Sequence, residues 1–381
     1  MKSYAVFHLD GERGLRGGER QLLYLACALR ARGHRNVVVC RKDFPLSREA
    51  QRLGLERLHL PFLTEWDPIT ALSLSLACGK AQGPLLHAHT AHAASVAALA
   101  GWLGRIPWVV HRRVDFMLRG PLSRRFKYQP AGRVIAVSKA IQGILQEEGL
   151  PPGRTAVVPD GIPVGEEECR WAGIEPDRFS PPTKEEKACL RRELSEEFDI
   201  PSEATWVGNL AALVPHKDHD TLIAAALLVL IRRPKTVFLI AGEGPEQGRL
   251  LKKIQRMGLV GRVLLVGQRR DAAGFLKALD LFVLSSWGEG MGSVLLEAGA
   301  CGLPIAATDA GGIPEIVEDK ASGLLCPARD PEALAANILR LIEDWELAAG
   351  LCARARKGLV RFGLSRMAER MEEIYGQARL G

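Results

Sequence analysis

Short β-like runs alternate with helical runs along almost the whole chain, and the alternation stops once and then starts again. "YAVFHL" precedes a glycine loop and then "ERQLLYLACALRARG", whose apolar residues recur at helical spacing. "NVVVC", "LERLHLPF", "PLLHAHT" before the alanine-rich "AHAASVAALAGWLG", "PWVVH", and "RVIAVS" before "KAIQGILQEEG" keep the rhythm. This is the pattern of a parallel sheet wound with helices. It halts at "VVPDGIPVGEEECRWAGIEPDRFSPPTKEE", rich in Pro, Gly and acidic residues. It resumes with "ATWVGNLAAL", "TVFLIAGEG", "RVLLVGQ", "LFVLSS", "PIAAT" and "GLLCP", with helices expected over 218–232, 246–257, 272–279 and 292–301. A chain of 381 residues is long for one core. The expectation is an α/β fold of two Rossmann-like, doubly wound domains joined near 180, with ligand bound in a cleft outside the carboxyl ends of the strands.

Composition narrows the class. The chain is 47% apolar, 25% charged and only 6% aromatic, as expected of a folded protein. No apolar run is long enough to span a membrane, and "MKSYAVFHLDGERG" has no extended apolar region of a signal peptide. Eight scattered cysteines without a CxxC pair point to reduced thiols in a cytoplasm. Residues 1–180 hold 25 Lys and Arg against 17 Asp and Glu, and the remainder 26 against 27, so the positive excess lies in the first half. It is densest at "HRRVDFMLRGPLSRRFK", 111–127. Such a face suits an anionic membrane or a phosphate-bearing substrate, or is simply a solvated helix. Too few aromatics are present for a nucleic-acid stacking platform, so no nucleic-acid partner is expected.

Three glycine loops follow strands. "LDGERGLRGGER" enters the first helix, where free amides favour an anion, but neither it nor "AGEGPEQG" fits a GxGxxG fingerprint, and no GxxxxGK[ST] loop is present. The third, "SSWGEGMGSVLLEAGACGLPIAATDAGGIPE", carries Glu289 and Glu297. A helix rise over eight residues separates them by roughly 12 Å, too far for a glycosidase pair, which works at about 5 to 9.5 Å. Between them the helix start offers amides at Met291, Gly292 and Ser293. One ligand class suits all three elements: a sugar, a diphosphate and a nucleoside, with Glu289 at the sugar hydroxyls and Glu297 at the ribose. An ordinary cap followed by a helical surface Glu explains the same residues.

These residues resemble the glycosyltransferase family 4 enzymes, retaining transferases of the GT-B fold, over nearly the whole chain. The E-x7-E signature is Glu289 and Glu297, followed by "LEAGACGLPIAATDAGGIPEIV" and "GLLCPARDPEALA". "LVPHKDHDTLIAA" is similar to the family segment whose Lys contacts the donor diphosphate, here Lys217. "LIAGEGPE" and "VGQRRD" resemble the next donor-side loops, and "GLRGGERQLLYLA", "VVH", "VIAVSKAI" and "VVPDGI" the N-terminal ones. The resemblance implies an acceptor-binding domain over 1–180, with the C-terminal helix 365–381 packing back on it. It implies a sugar-nucleotide-binding domain over 181–364, the two facing each other across a cleft. It implies donor binding by Gly17, Gly18, Lys217, Gly242, Gly244, Arg269, Gly290, Met291, Gly292, Ser293 and Glu297. His111 and Glu289 fall at the reacting centre, and His89, His92, Arg112, Arg113 and Asp115 are acceptor-side candidates. Charge on the leaving diphosphate would be met by Lys217 and backbone amides, so no metal and no cofactor is expected. The implied activity is retaining transfer from a nucleoside-diphosphate sugar to a saccharide or lipid-linked acceptor in cell-surface polysaccharide or lipopolysaccharide assembly. The implied location is the cytoplasm, with peripheral contact to the inner membrane face.

Two departures stand out. The family Arg five residues before the Lys is Ala212 here, with Arg269 or Arg270 as substitutes. The segment "PVGEEECRWAGI", 163–174, is an insertion, expected as a solvated loop rather than a gate. "HAHTAHA" could converge His87, His89 and His92 on a metal, though a cleft-lining role is favoured. A sugar-nucleotide epimerase or hydrolase, and a non-catalytic sugar-nucleotide-binding protein, are the alternative functions.

Overall fold

The computed structural model describes residues 3–114 and 120–379. The chain forms two compact units, one of residues 1–175 with 361–381 and one of residues 176–360. The sequence bounds, 180 and 364, differ from these by a few residues at each crossing.

The first unit runs β1 (Ala5–Leu9), α1 (Gly17–Ala31), β2 (Arg35–Cys40), α2 (Pro45–Arg52), β3 (Glu56–His59), α3 (Pro68–Cys78), β4 (Pro84–Ala88), α4 (Ala91–Gly104) and β5 (Trp108–Arg112). A short α5 (Gly120–Ser123) continues into a wide turn over Arg124–Tyr128, then β6 (Arg133–Ala136), α6 (Lys139–Glu147), β7 (Thr155–Val157) and α7 (Gly165–Ala172). The strands lie in the order β3-β2-β1-β4-β5-β6-β7, all neighbours parallel. β1 and β5 are buried throughout, which is why Ala5–Phe7 and Trp108–Val110 are apolar at successive positions rather than alternate ones. Helix starts follow from local chemistry: the Asp67 carboxylate accepts from the amides of Ile69 and Thr70 to cap α3, and the Thr90 hydroxyl accepts from Ala93 to cap α4.

The second unit repeats the plan. It comprises α8 (Lys184–Phe198), β8 (Thr205–Leu210), α9 (His219–Arg232), β9 (Thr236–Ala241), α10 (Gln247–Arg256), β10 (Val263–Leu265), α11 (Ala272–Ala278) and β11 (Leu281–Leu284). Then come α12 (Val294–Ala300), β12 (Ile305–Thr308), α13 (Ile313–Ile316), β13 (Leu324–Cys326), α14 (Pro331–Glu343) and α15 (Trp345–Gly358). Its order is β10-β9-β8-β11-β12-β13, again parallel. In both sheets the order reverses beside the first strand, at β1/β4 and at β8/β11, and these reversals are where such folds bind ligands. Val207, Phe238, Ile240, Val283, Leu334 and Ile338 belong to the core of this unit.

The final helix, α16 (Leu364–Ala378), belongs to the first unit, where Met367, Met371 and Tyr375 join Val6, Leu25 and Val109 in the core. The 163–174 insertion corrects the solvated-loop expectation. Its core is α7, with Cys169 and Ala172 buried. The Glu168 carboxylate accepts from the amides of Leu364 and Ser365 at 2.7 and 2.8 Å. An acidic side chain on the first amides of a helix satisfies orphan donors and complements the dipole, so the segment anchors α16. Among the described residues no helix is long and apolar enough to cross a membrane.

Candidate active site

In the second unit three chain segments meet at the carboxyl ends of β8, β9 and β11. A single 3₁₀ turn, Pro215–Lys217, is stitched to the loop after β11. The Ser285 hydroxyl donates to the Lys217 carbonyl, the Trp287 amide to the His216 carbonyl and the Trp287 indole to the Pro215 carbonyl, each at 3.0 Å. This brings the Lys217 ammonium 2.5 Å from the Glu289 carboxylate, which also accepts from the Ser286 hydroxyl at 3.0 Å. Both side chains are largely covered, at 18% and 10% exposure.

Glycines make this approach possible. A Cβ on Gly311 would lie 2.0 Å from the Glu289 carbonyl, and the Gly312 amide donates to that same carbonyl at 3.0 Å. A Cβ on Gly242 would meet the Ala211 carbonyl at 2.0 Å, and one on Gly244 the Leu213 carbonyl at 2.2 Å. Gly242 and Gly244 are therefore needed for close packing of two backbones around Ala212. Gly292 adopts φ +80, a left-handed conformation open to glycine. Gly290, Met291 and Ser293 flank it, and Glu297, half-buried, lies on α12, which begins at Val294. Arg269 goes elsewhere: its guanidinium pairs with Glu197 of α8 at 2.8 Å and stacks near Phe198.

In the first unit the chemistry is a buried histidine network. His8 and His87 are register partners on β1 and β4, and His87 stacks on His111 of β5 at 5.6 Å with planes 4° apart. His89 lies just beyond β4, 4.0 Å from the His87 ring centre. The hydrogen bonds fix the tautomers. The Asn36 amide nitrogen donates to the His34 carbonyl, so its oxygen faces His8 and accepts from His8 Nε2 at 3.0 Å. His8 Nδ1 must then accept, at 3.1 Å, from His89 Nε2. His89 Nδ1 in turn accepts from Arg113 at 3.1 Å, and the same guanidinium donates to His111 Nδ1 at 3.3 Å and pairs with Asp160 at 3.1 Å. Gln21 of α1 holds the neighbouring Gly161 by two reciprocal bonds of 2.8 Å, which places Asp160.

Burial keeps all four rings neutral, His87 among them. Burial, then the Arg113 charge, push His111 well below 6.5, against the pull of the Val158 carbonyl. Burial, then neighbouring His87 and Arg113, do the same to His89, and burial takes His8 to about 4. Asp10, at the end of β1, moves the other way: burial and the nearby Glu19 push it up to about 7. Glu19 itself accepts from the Arg16 amide at 2.7 Å and so fixes the start of α1, where Gly17 and Gly18 form the first turn.

The sequence candidates therefore divide. His89, His111 and Arg113 come together, as do Lys217 and Glu289. His92 does not join its neighbours: its ring donates to the Thr64 carbonyl. Asp115 lies outside the described residues. Arg112 is buried at the end of β5. The basic run 111–127 is largely consumed internally, with Arg113 on Asp160, Arg124 on the Glu148 carbonyl and Lys127 on Glu65. His8, Asp10 and Asp160 escaped the sequence reading, although a His inside an apolar strand is itself a signal. The ring nitrogens of His8, His87 and His89 lie within 4.8 Å of one another, a spacing that admits a metal ion. Their partners oppose one: His8 and His89 are committed to Asn36, to each other and to Arg113, whose charge repels a cation, and only His87 Nε2 lacks a partner.

Two family models match, "Glycosyltransferase Family 4" over residues 15–166 and "Glycosyl transferases group 1" over residues 191–358. A D-inositol 3-phosphate glycosyltransferase of Xylanimonas cellulosilytica is 30% identical over 305 residues, covering 73% of this chain and 69% of that protein. An N-acetyl-alpha-D-glucosaminyl L-malate synthase of Bacillus anthracis is 32% identical, the match spanning 40% of each chain. A lipopolysaccharide core biosynthesis glycosyltransferase of Rhizobium meliloti is 33% identical over 43% of this chain and 47% of its own. The last two matches thus span less than half of the relative's length. The crystal structure of Anabaena HepE with UDP-glucose shares the fold, with a TM-score of 0.82 at 23% identity over 97% of this chain and 99% of that one.

Proposed function

The chain belongs to the family 4, group 1 glycosyltransferases, and from that premise we propose that it is a retaining enzyme. It moves a sugar from a nucleoside diphosphate to a saccharide or lipid-linked acceptor in cell-surface polysaccharide or lipopolysaccharide assembly. It works in the cytoplasm, at the inner face of the membrane. The observation that carries this reading is the Lys217–Glu289 pair, held by backbone stitching among glycines at the β8/β11 reversal. When donor binds, the ammonium meets the diphosphate and Glu289 is released to accept from sugar hydroxyls. Preorganised cations and amides aimed at a leaving diphosphate are the largest need of this chemistry. Protein groups supply it here without a metal. Gly242, Gly244 and Gly292 let backbone approach the donor, and Glu297 accepts from the ribose diol.

His111 presents Nε2 as its hydrogen-bearing nitrogen, because Arg113 occupies Nδ1. A neutral donor of that kind can bond a sugar hydroxyl without adding a charge. The relatives' names, which refer to inositol 3-phosphate and L-malate, are consistent with an anionic acceptor.

The test is thermal stabilisation by UDP-, GDP-, ADP- and CMP-linked sugars, followed by nucleotide release with and without acceptor, in buffer containing EDTA. Stabilisation by one nucleotide family, lost in Glu297→Ala, with release only in the presence of acceptor, supports the transferase. Release of free sugar without acceptor, or interconversion of sugars, would establish a hydrolase or epimerase instead. Abolition by EDTA would refute the metal-free mechanism.

A further inference from the structure

An apolar face of the first unit plays no part in the site. α3 and α4 pack against each other, and neither the eleven residues of α3 nor the fourteen of α4 include an Asp, Glu, Lys or Arg. A surface helix ordinarily turns a charged side to water. Here Ile69, Leu72 and Leu76, which share one side of α3 by their i, i+3, i+7 spacing, are 61%, 51% and 65% exposed. The other side is covered: Thr70, Ala71, Leu74 and Cys78 are buried. The apolar surface continues through exposed Leu63 and Trp66 before α3 and through Trp102 and Leu103 at the end of α4. Phe126, also exposed, sits edge-on to Trp102 at 6.0 Å. Residues of this size and number on one face are not scattered exposure.

The rim decides the occupant. Lys80, two residues past α3, Arg105, directly after α4, and Arg125, beside Phe126, are exposed and make no ion pair among the described residues. Glu65, an exposed acidic residue next to Trp66, is bonded to Lys127. We propose that the α3–α4 face docks the protein on an anionic bilayer. Leucine and isoleucine enter the acyl boundary, the two indoles lie at headgroup depth, and the three cations meet lipid phosphates. At eleven residues α3 is too short to span a bilayer and suits a helix lying in the interface. This inference deepens the membrane placement proposed above and is independent of the transferase reading. It also centres the contact on α3 and α4 rather than on the 111–127 run, of which Arg113, Arg124 and Lys127 are bonded within the unit and Arg125 and Phe126 belong to the face.

The experiment is co-sedimentation of the full chain with vesicles of phosphatidylcholine alone and with about one third phosphatidylglycerol. Tryptophan quenching by brominated acyl chains is measured in parallel. Binding to the anionic vesicles is expected, with quenching reduced in Trp102→Phe. Leu72→Gln with Leu76→Gln should weaken binding about tenfold or more, and Arg105→Gln with Arg125→Gln about fivefold per cation. These positions are exposed, and an unchanged melting temperature confirms folding. A folded wild type that ignores anionic vesicles overturns the proposal, as does binding unaffected by the leucine variant. A dimer that the leucine variant dissolves, in the absence of vesicle binding, assigns the face to a second copy. The nucleotide-induced thermal shift, read on the same samples, tests the donor site separately.

Discussion

The two units place their functional groups at equivalent ends of equivalent sheets, yet build them from different materials. In the second unit the site is mostly backbone. Three loops close on one another through carbonyls and amides, glycines admit the approach, and one ion pair carries the charge. In the first unit the site is a side-chain network, in which Arg113 keys two histidines to Asp160 and burial keeps four rings neutral. A backbone site is suited to a ligand that presents phosphates, since amides are fixed donors. A network of neutral imidazoles is suited to hydroxyls, whose recognition turns on which nitrogen bears the hydrogen.

The largest expected effect tests the ion pair. Lys217→Met should lower transfer about 10²- to 10³-fold, the size of loss seen when a preorganised donor to developing charge is removed. It also leaves Glu289 covered and unpaired, at a cost of about 3 kcal/mol. The Lys217→Met, Glu289→Gln double variant should regain much of that stability without regaining activity. Recovery of turnover along with the melting temperature would show that Lys217 is structural and would dissolve the contrast between the units.

That contrast also explains what the sequence disclosed. Lys217, Glu289, Gly242 and Gly292 sit in short loops after strands, where spacing along the chain reports spacing in the site. The alternation of apolar runs disclosed both sheets for the same reason. The network of the first unit draws on positions 8, 36, 89, 111, 113 and 160, which only the strand order brings together. No local pattern marks His8 as a partner of His89. α7 is hard to read from sequence because "GEEECRWA" offers only Cys169 and Ala172 as small buried apolar anchors, and its order depends on Glu168 capping a helix some two hundred residues later. Nothing nearby in sequence announces Glu197 as the partner of Arg269.

A second experiment addresses Arg113. Arg113→Met removes the guanidinium paired with Asp160, itself nearly enclosed, and should cost about 3 kcal/mol in the first unit. Arg113→Met with Asp160→Asn should recover much of it. Because the Arg113 charge helps hold His89 and His111 down, the acid limb of the transfer rate should move to higher pH in both variants. A limb that stays in place would show that these histidines do not govern the rate.

Acidification should separate the units. His8 titrates at about 4 in the folded protein against 6.5 in the unfolded chain. Its contribution is complete above 6.5 and is lost as pH falls towards 4, about 2 kcal/mol of it by pH 5. His87, His89 and His111, all lowered, act in the same direction. Asp10, raised to about 7, gains stability on acidification by a similar amount to the His8 loss. The second unit carries His219, at about 4, and its Asp220, held at about 2 by Arg249 and Lys253, weakens only below 3.8. Hydrogen exchange at pH 5 should therefore show the first unit opening before the second, and Asp10→Asn should widen the gap. Equal protection in both units would remove the electrostatic half of the comparison.

The smallest effect concerns the missing arginine. With Ala212 in place of the family Arg, the donor diphosphate depends either on Lys217 and amides alone or on a borrowed cation. Arg269 is committed to Glu197 in an exposed pair, at 24% and 48% exposure, of a kind worth under about 1 kcal/mol. Glu197→Ala and Arg269→Ala should each leave nucleotide affinity within about twofold and the melting temperature nearly unchanged. If Arg269 were the substitute, freeing it from Glu197 would tighten nucleotide binding and deleting it would weaken binding about tenfold, the loss of a charge-assisted hydrogen bond. Opposite shifts in the two variants would place a mobile side chain at the centre of the second unit's site. Matching silence would leave that site as backbone and one ion pair.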